Sequence, residues 1–160
     1  IRKKLISDPL IKSFSLPKEI HGIMFSRSGP GQGYGIHLDN PYMSSGRSDL
    51  SFTLFLSSSD SYQGGELCIQ TIQETRKFKL NSGEIIIYPS TQLHSVAEIK
   101  VGERFVCVGW IQSYVQNNED RNFLFGLDAG AKGLLAKHGR SDELDLIFQS
   151  YSNLLRRLGD

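Results

Sequence analysis

The chain has 160 residues, of which 39% are hydrophobic and 22% charged, and its formal net charge is +1. This length allows one domain with its own hydrophobic core. The balanced charge gives no reason to expect nucleic acid or an anionic membrane as a partner, and no apolar run approaches the roughly 20 residues that a transmembrane helix needs.

The first 35 residues predict a helix and linker, then a strand and a loop. Residues 1–20 contain no signal-peptide apolar segment and no initiator Met, so we expect further residues upstream. Residues 22–26 predict a short strand. Residues 28–35 contain four glycines, but they lack the GxGxxG spacing and the Lys-Ser/Thr pair of phosphate-binding loops. This run therefore predicts a flexible entry loop.

The middle of the chain is rich in short strand-like segments. In the first of them, Leu50, Phe52, Leu54 and Leu56 alternate with their neighbours, as in a strand with one apolar face. The segments that share this strand character are 49–57, 66–71, 75–80, 84–88 and 104–111. Gly- and Ser-rich turns separate them at close intervals. This spacing predicts a mainly β fold, either a sandwich or a jelly roll.

After residue 116 the apolar period changes from two to about 3.6, which indicates helices. Asn117 or Asn118 can cap a helix whose first turn carries Glu119 and Asp120. Ser141 can begin a second helix. Its apolar stripe consists of Leu144, Ile147, Phe148, Tyr151, Leu154, Leu155 and Leu158. We expect these helices to brace the sheet or to form the contact of a homodimer.

Cys68 and Cys107 both lie in strand-like runs. Two cysteines are too few for a disulfide framework in a chain of this size, and neither has a partner at metal-ligand spacing. We expect two reduced core thiols. Reduced thiols are consistent with a cytoplasmic location.

Three residues, His37, Asp39 and His94, form the most informative pattern in the chain. Two histidines and a carboxylate are the ligand set that holds non-haem Fe(II) and leaves its other positions open. On a strand, residues two apart point to the same face, so His37 and Asp39 can act together. Zn(II) is the alternative metal, although the HExxH helix of zinc hydrolases is absent. The other histidines, His21 and His138, are interpreted as structural or surface residues.

Arg104 follows His94 by ten residues. A guanidinium grips a carboxylate with two parallel hydrogen bonds, so an open Fe(II) site beside Arg104 predicts an oxygenase that uses a 2-oxo acid. By alternation Arg104 shares a strand face with Val106, Val108 and Trp110, which offers no acid to pair it. Trp110 is interpreted as interior packing, with lining of the site as the alternative.

Three further residues lie close in the sequence to these candidate site residues or to their strands. Tyr88 can contact the 2-oxo acid or pack in the core. Arg47 can pair with Asp49 to fix the start of a strand, or point at substrate. Asn40 can orient the metal-binding loop.

Together these segments resemble the bacterial PKHD-type hydroxylases, within the prolyl-4-hydroxylase-like Fe(II)/2-oxoglutarate dioxygenases. The motifs that carry the resemblance are YGIHLDN at 34–40, RSDLS at 47–51, YQGGEL at 62–67, GEIIIYPS at 83–90, GER at 102–104 and WIQS at 110–113. The similarity extends over nearly all of the chain from about residue 17.

The resemblance implies a distorted double-stranded β-helix, that is, a cupin-like jelly roll, with C-terminal helices. It implies Fe(II) on His37, Asp39 and His94, 2-oxoglutarate on Arg104, and L-ascorbate as the reductant. The implied reaction hydroxylates a substrate with O2 and converts 2-oxoglutarate to succinate and CO2. The family usually has a tyrosine where this chain has Ser28, so a tyrosine hydrogen bond to 2-oxoglutarate is not expected from that position.

The resemblance also implies a domain organisation, with residues 1–116 as the barrel and 117–160 as a helical segment of the same domain. Family members carry a longer N-terminal region than this chain. A binding module with the same barrel but without turnover is the first rival hypothesis. A halogenase is the second, but it would need a small residue in place of Asp39. The substrate stays open between a small molecule and a peptide or protein side chain.

Overall fold

The computed structural model describes all residues from Ile1 to Asp160. The helices are α1 (Arg2–Ser7), α2 (Pro9–Ser15), α3 (Asn118–His138) and α4 (Asp142–Leu158). The strands are β1 (Pro17–Ser28), β2 (Tyr34–His37), β3 (Tyr42–Met43), β4 (Gly46–Arg47), β5 (Leu50–Phe55), β6 (Tyr62–Gly64), β7 (Leu67–Gln70), β8 (Thr75–Phe78), β9 (Ile85–Pro89), β10 (His94–Val96), β11 (Ile99–Gly102) and β12 (Arg104–Ser113). A single 3₁₀ turn, Ser59–Ser61, precedes β6.

The residues group into two compact units. One unit is Ile20–Gln112, and the other combines Ile1–Glu19 with Ser113–Asp160. The two N-terminal helices thus share a unit with the two C-terminal ones. No helix has both the length and the apolar character needed to cross a membrane.

Two four-stranded sheets dominate the unit Ile20–Gln112. Their strand orders are β1-β12-β5-β9 and β2-β10-β7-β8. Along the chain the path crosses repeatedly from one sheet to the other, which is the topology of a double-stranded β-helix. Two small strand pairs, β11-β6 and β3-β4, complete the β structure. The prediction of a mainly β jelly roll with C-terminal helices is confirmed.

The central strand β5 is buried on both of its faces. Leu50 and Phe52 are 0% and 1% exposed, and the intervening Ser51 and Thr53 are only 3% exposed. Alternation alone predicts a polar, solvated face for the two hydroxyl residues. These two residues are buried instead. Their strand lies between β12 and β9, and the side chains of Ser51 and Thr53 line a cavity of the protein.

The helical unit has its own apolar cluster. Its buried members are Leu16, Val115 and Leu124, and Tyr151, Leu154, Leu155 and Leu158 pack against them. Asn117 caps α3 by accepting hydrogen bonds from the amides of Glu119 and Asp120, and Ser141 caps α4 through the amide of Leu144. Both predicted caps are confirmed.

The N-terminal region departs from its prediction in two ways. The expected single helix is two short helices, because the side chain of Asp8 caps a new helix that begins with Pro9. The expected linker at 17–20 belongs to β1, which starts at Pro17 rather than at Gly22.

Candidate metal centre

His37 and His94 are brought together by strand pairing. His37 is the last residue of β2 and His94 the first residue of β10, and the two are direct partners in the antiparallel β2–β10 pair. Their ring centroids are 4.2 Å apart. Strand pairing thus places side by side two histidines that are 57 positions apart in the chain.

Asp39 completes the group from the loop that follows β2. Its Oδ1 lies 3.9 Å from Nε2 of His37, and its Oδ2 lies 3.7 Å from Nε2 of His94. The ligand atoms of all three residues lie within 4.8 Å of one another. Bonds of about 2.0–2.2 Å join imidazole nitrogens and carboxylate oxygens to a divalent metal, so one ion can contact all three donors. The residues present therefore fit an Fe(II) centre.

Both imidazoles are held in the tautomer that a metal requires. Nδ1 of His37 lies 2.8 Å from the carbonyl oxygen of Gly35, and Nδ1 of His94 lies 2.9 Å from that of Gln92. A carbonyl can only accept a hydrogen bond, so each Nδ1 carries the proton. Each Nε2 then has a free lone pair on the side of Asp39.

A cavity of about 580 Å³ opens beside the three residues. Its wall includes well-exposed apolar side chains, among them Phe25 at 70% and Tyr34 at 62% exposure. Other lining residues are deeply buried, including Tyr88 at 7% and Arg104 at 4%. The cavity therefore has an apolar, accessible part and a buried part that contains a cation.

Arg104 stands at the start of β12 without a charged partner. The groups that act on its charge are the phenols of Tyr62 and Tyr88 and no carboxylate, and its Nε has no hydrogen-bond partner. Its guanidinium carbon lies 5.5 Å from the centroid of the Phe55 ring. Burial lowers the pKa of Arg104, yet a guanidinium stays charged at neutral pH. A buried, unpaired cation is costly, so this position favours a bound anion.

Gly65 makes room for Arg104. Its φ of +70° is a left-handed conformation that suits glycine. A Cβ atom there would lie 2.3 Å from Cδ1 of Ile99 and 3.0 Å from Cδ of Arg104. Gly65 therefore lets the side chains of Ile99 and Arg104 pack directly against the backbone at this position.

Tyr88, Trp110, Asn40 and Ser28 all line the cavity. The Tyr88 ring packs edge-on against His94, with centroids 5.1 Å apart. Burial, reinforced by the nearby carboxylate of Asp39, raises the pKa of Tyr88. Trp110 both packs in the interior and lines the cavity, so it combines the two alternatives that the sequence left open. It fits there because Gly22 has no Cβ, which would lie 2.5 Å from the indole ring.

The structure leaves Arg47, His21 and His138 outside the cavity wall. Nε of Arg47 pairs with Oδ1 of Asp49 at 2.8 Å, as one of the two sequence alternatives predicts. His21 is 1% exposed, and its ring nitrogens lie 2.9 Å from the Ser45 hydroxyl and 3.0 Å from the carbonyl of Arg47. His138 is the exposed last residue of α3. These contacts agree with the structural and surface interpretation of the two histidines.

Sequence reasoning missed the hydroxyl of Ser51 beside Asp39 and the hydroxyl of Ser90 that contacts Ser51. The Oγ of Ser51 lies 2.5 Å from Oδ2 of Asp39 and 2.7 Å from Oγ of Ser90. The only signal for them in the sequence is a serine on an otherwise apolar strand and another directly after Pro89.

Comparison with known proteins defines the class. The family model of the 2OG-Fe(II) oxygenase superfamily matches residues 23–112. A PKHD-type hydroxylase of Prochlorococcus marinus (strain NATL1A) is 78% identical over 160 residues, which is 100% of this chain and 72% of that protein. The chain belongs to the PKHD-type hydroxylases of the 2OG-Fe(II) oxygenase superfamily. It is accordingly a 2-oxoglutarate-dependent dioxygenase, as the resemblance implied.

Solved structures show the same fold at low identity. A Pseudomonas putida prolyl-4-hydroxylase aligns with a TM-score of 0.52 and 23% identity, over 64% of this chain and 59% of that chain. A Trichoplax adhaerens prolyl hydroxylase, solved with a peptide fragment of hypoxia inducible factor, aligns with a TM-score of 0.50 and 18% identity. That alignment covers 69% of this chain and 49% of the other.

Proposed function

We propose that His37, Asp39 and His94 hold Fe(II) and that Arg104 binds the distal carboxylate of 2-oxoglutarate. One observation carries the proposal: the three donor groups, all within 4.8 Å of one another, line the same cavity as the buried, unpaired Arg104. When bound, Fe(II) and 2-oxoglutarate supply the oxidation, in which O2 and 2-oxoglutarate hydroxylate the substrate and yield succinate and CO2.

The protein's own residues prepare the site before anything binds. The backbone carbonyls of Gly35 and Gln92 fix the two imidazoles, so each presents Nε2 to the ion. Asp39 supplies one negative charge and a hard oxygen ligand. Three protein donors leave the remaining positions of a six-coordinate metal open, and Arg104 orients the co-substrate toward them.

The accessible part of the cavity is the proposed substrate side. It carries Met24, Phe25, Tyr34, Leu38, Met43 and Trp110, all of them uncharged. We propose a small-molecule or peptide substrate; the Trichoplax enzyme shows that a related fold binds a peptide. Asn40 also lines this cavity and is proposed to hold the loop that carries Asp39.

The wider setting is proposed on sequence grounds. The unpaired thiols of Cys68 and Cys107 agree with a reducing cytoplasm, which would keep iron ferrous. L-ascorbate is the proposed reductant, and the net charge of +1 favours no nucleic-acid partner. The division into a barrel (residues 1–116) and a helical segment of the same domain (residues 117–160) stays a prediction. A homodimer contact through the C-terminal helices also stays a prediction.

Succinate formation tests the proposal directly. Protein freed of metal, then supplied with Fe(II), 2-oxoglutarate, O2 and ascorbate, should form succinate even without substrate, through uncoupled turnover. A panel of peptides and small molecules should contain members that raise this rate. Wild-type protein that forms no succinate above the His94→Ala background would refute the proposal.

A further inference from the structure

Asp39 lies outside the strands, so no ladder of backbone hydrogen bonds holds it in place. Its side chain is nonetheless only 10% exposed. The buried hydroxyl of Ser51 contacts its Oδ2, and the buried hydroxyl of Ser90 contacts Ser51 in turn. Ser51 on β5 is 3% exposed and Ser90, just after β9, is 4% exposed. Ser51 lies 2.5 Å from Oδ2 of Asp39 and 2.7 Å from Ser90.

The number of protons sets the direction of these hydrogen bonds. A carboxylate only accepts, so the single hydroxyl proton of Ser51 is donated to Oδ2 of Asp39. Ser51 has no second proton, so the bond between the two serines is donated by Ser90. Ser90 therefore donates to Ser51, and Ser51 donates to Asp39. In such a hydrogen-bond series each bond polarises and strengthens the next one.

The sheet holds both serines in place. Ser51 is paired on one side with Tyr88 of β9 and on the other with Trp110 of β12. The amide of Ser90 donates to the carbonyl of Asp49 at 3.1 Å. Neighbouring backbone thus holds Ser51 and Ser90 in place, whereas Asp39, which Ser51 contacts, lies in a loop.

The two oxygens of Asp39 consequently have different surroundings. Oδ2 accepts the hydrogen bond from Ser51, whereas Oδ1 accepts none and lies 3.9 Å from Nε2 of His37. Of the two oxygens, Oδ1 is therefore the one whose lone pairs are all available to an ion.

We propose that Ser51, supported by Ser90, is a positioning residue that holds Asp39 in the rotamer that offers Oδ1 to the metal. The inference rests on the proposed function, in which Asp39 is a ligand. Partners that orient a metal ligand typically contribute 10–100-fold to metal affinity. Without the Ser51 donor, Asp39 can rotate, and its carboxylate must be ordered each time that a metal binds.

The test measures metal binding to metal-free protein, independently of turnover. Co(II) serves as the probe, and the emission of Trp110, the sole tryptophan and a cavity residue, reports its binding. Ser51→Ala should weaken Co(II) binding about 10–100-fold and alter the visible spectrum of bound Co(II). Ser51→Thr, which keeps the hydroxyl, should restore most of the affinity. Ser90→Ala should show a smaller loss in the same direction.

Ser48→Ala is the matched control. Ser48 is also buried, at 6% exposure, and its hydroxyl has no hydrogen-bond partner. Its removal should leave Co(II) affinity at the wild-type value. Urea unfolding of each metal-free variant separates loss of affinity from loss of fold.

Two results distinguish this inference from the proposed function. If wild type binds Co(II), His94→Ala does not, and Ser51→Ala binds as tightly as Ser48→Ala, the positioning role is wrong and the metal site stands. If wild type and His94→Ala bind Co(II) equally, the metal site itself fails. If Ser51→Ala does not fold, Ser90→Ala takes its place in the test. An unchanged Co(II) affinity in Ser90→Ala would then overturn the proposed positioning role.

Discussion

His37 and His94 lie directly opposite each other across the β2–β10 strand pair, with ring centroids 4.2 Å apart. This pairing brings Nε2 of His37 and Nε2 of His94 to 3.9 Å and 3.7 Å from the carboxylate of Asp39, so the metal site depends on the register of one pair of strands. A register shift of a single residue would turn one imidazole to the opposite face of the sheet.

The first prediction concerns the three proposed ligands. His37→Ala, Asp39→Ala and His94→Ala should each reduce Co(II) or Fe(II) affinity by more than the roughly 10–100-fold that follows loss of a supporting partner. The reason is that each removes a direct donor. Titration monitored by Trp110 emission measures the affinity. His138→Ala, at the exposed end of α3, is the control, and full metal affinity in any ligand variant would exclude that residue from the site.

A second prediction concerns Arg104. Arg104→Ala should raise the KM for 2-oxoglutarate by two to three orders of magnitude, since loss of one partner of a buried charge pair costs on the order of 3–5 kcal/mol. The KM of Arg104→Lys for 2-oxoglutarate should lie between those of wild type and Arg104→Ala, because lysine keeps the charge and lacks the planar guanidinium. Succinate formation at varied 2-oxoglutarate gives the KM. The Fe(II) affinity of Arg104→Ala should stay near the wild-type value. Arg140→Ala is the control, because Arg140 pairs with the exposed Asp145, and its KM for 2-oxoglutarate should match that of wild type. An unchanged KM in Arg104→Ala would assign the residue a structural role.

The third prediction separates crowding from backbone strain at Gly65. Gly65→Ala places a Cβ against Ile99 and Arg104 at φ +70°, so it should destabilise the fold and raise the KM for 2-oxoglutarate. Gly31→Ala has a similar φ of +80° but nothing within 4 Å of the added Cβ. It should therefore cost only the left-handed strain, about 1–2 kcal/mol. Urea unfolding and succinate kinetics measure the two effects, and equal results for both variants would remove the crowding argument.

A fourth prediction concerns stability at high pH. Burial raises the pKa of Tyr62, against an opposing effect of the nearby Arg104. Between the ordinary tyrosine pKa of about 10 and the raised value, the unfolded chain loses the phenol proton and the folded chain keeps it. The free energy of unfolding should thus fall as the pH rises above about 10. Tyr62→Phe should show a shallower fall than wild type, and Tyr42→Phe, at a site 72% exposed, should follow wild type. Parallel curves for wild type and Tyr62→Phe would contradict the prediction.

Much of the local structure could be predicted from the sequence. The alternation around Phe52 indicates β5, and the caps at Asn117 and Ser141 mark where α3 and α4 begin. These features are local, because side-chain periodicity and capping bonds act within a few residues. The types of candidate ligand were readable for a similar reason, since metal preference follows from the chemistry of imidazole and carboxylate.

Only the tertiary structure decided which distant residues meet. Nothing near His94 in the chain specifies His37 as its partner, because strand register depends on the packing of whole faces. The same holds for the contacts that Ser51 makes with Asp39 and with Ser90, which join three separate segments of the chain. Trp110 became a cavity wall because Gly22, 88 positions earlier, leaves space for its ring. Side-chain chemistry is a property of single residues, whereas the geometry of the site arises from non-local strand pairing.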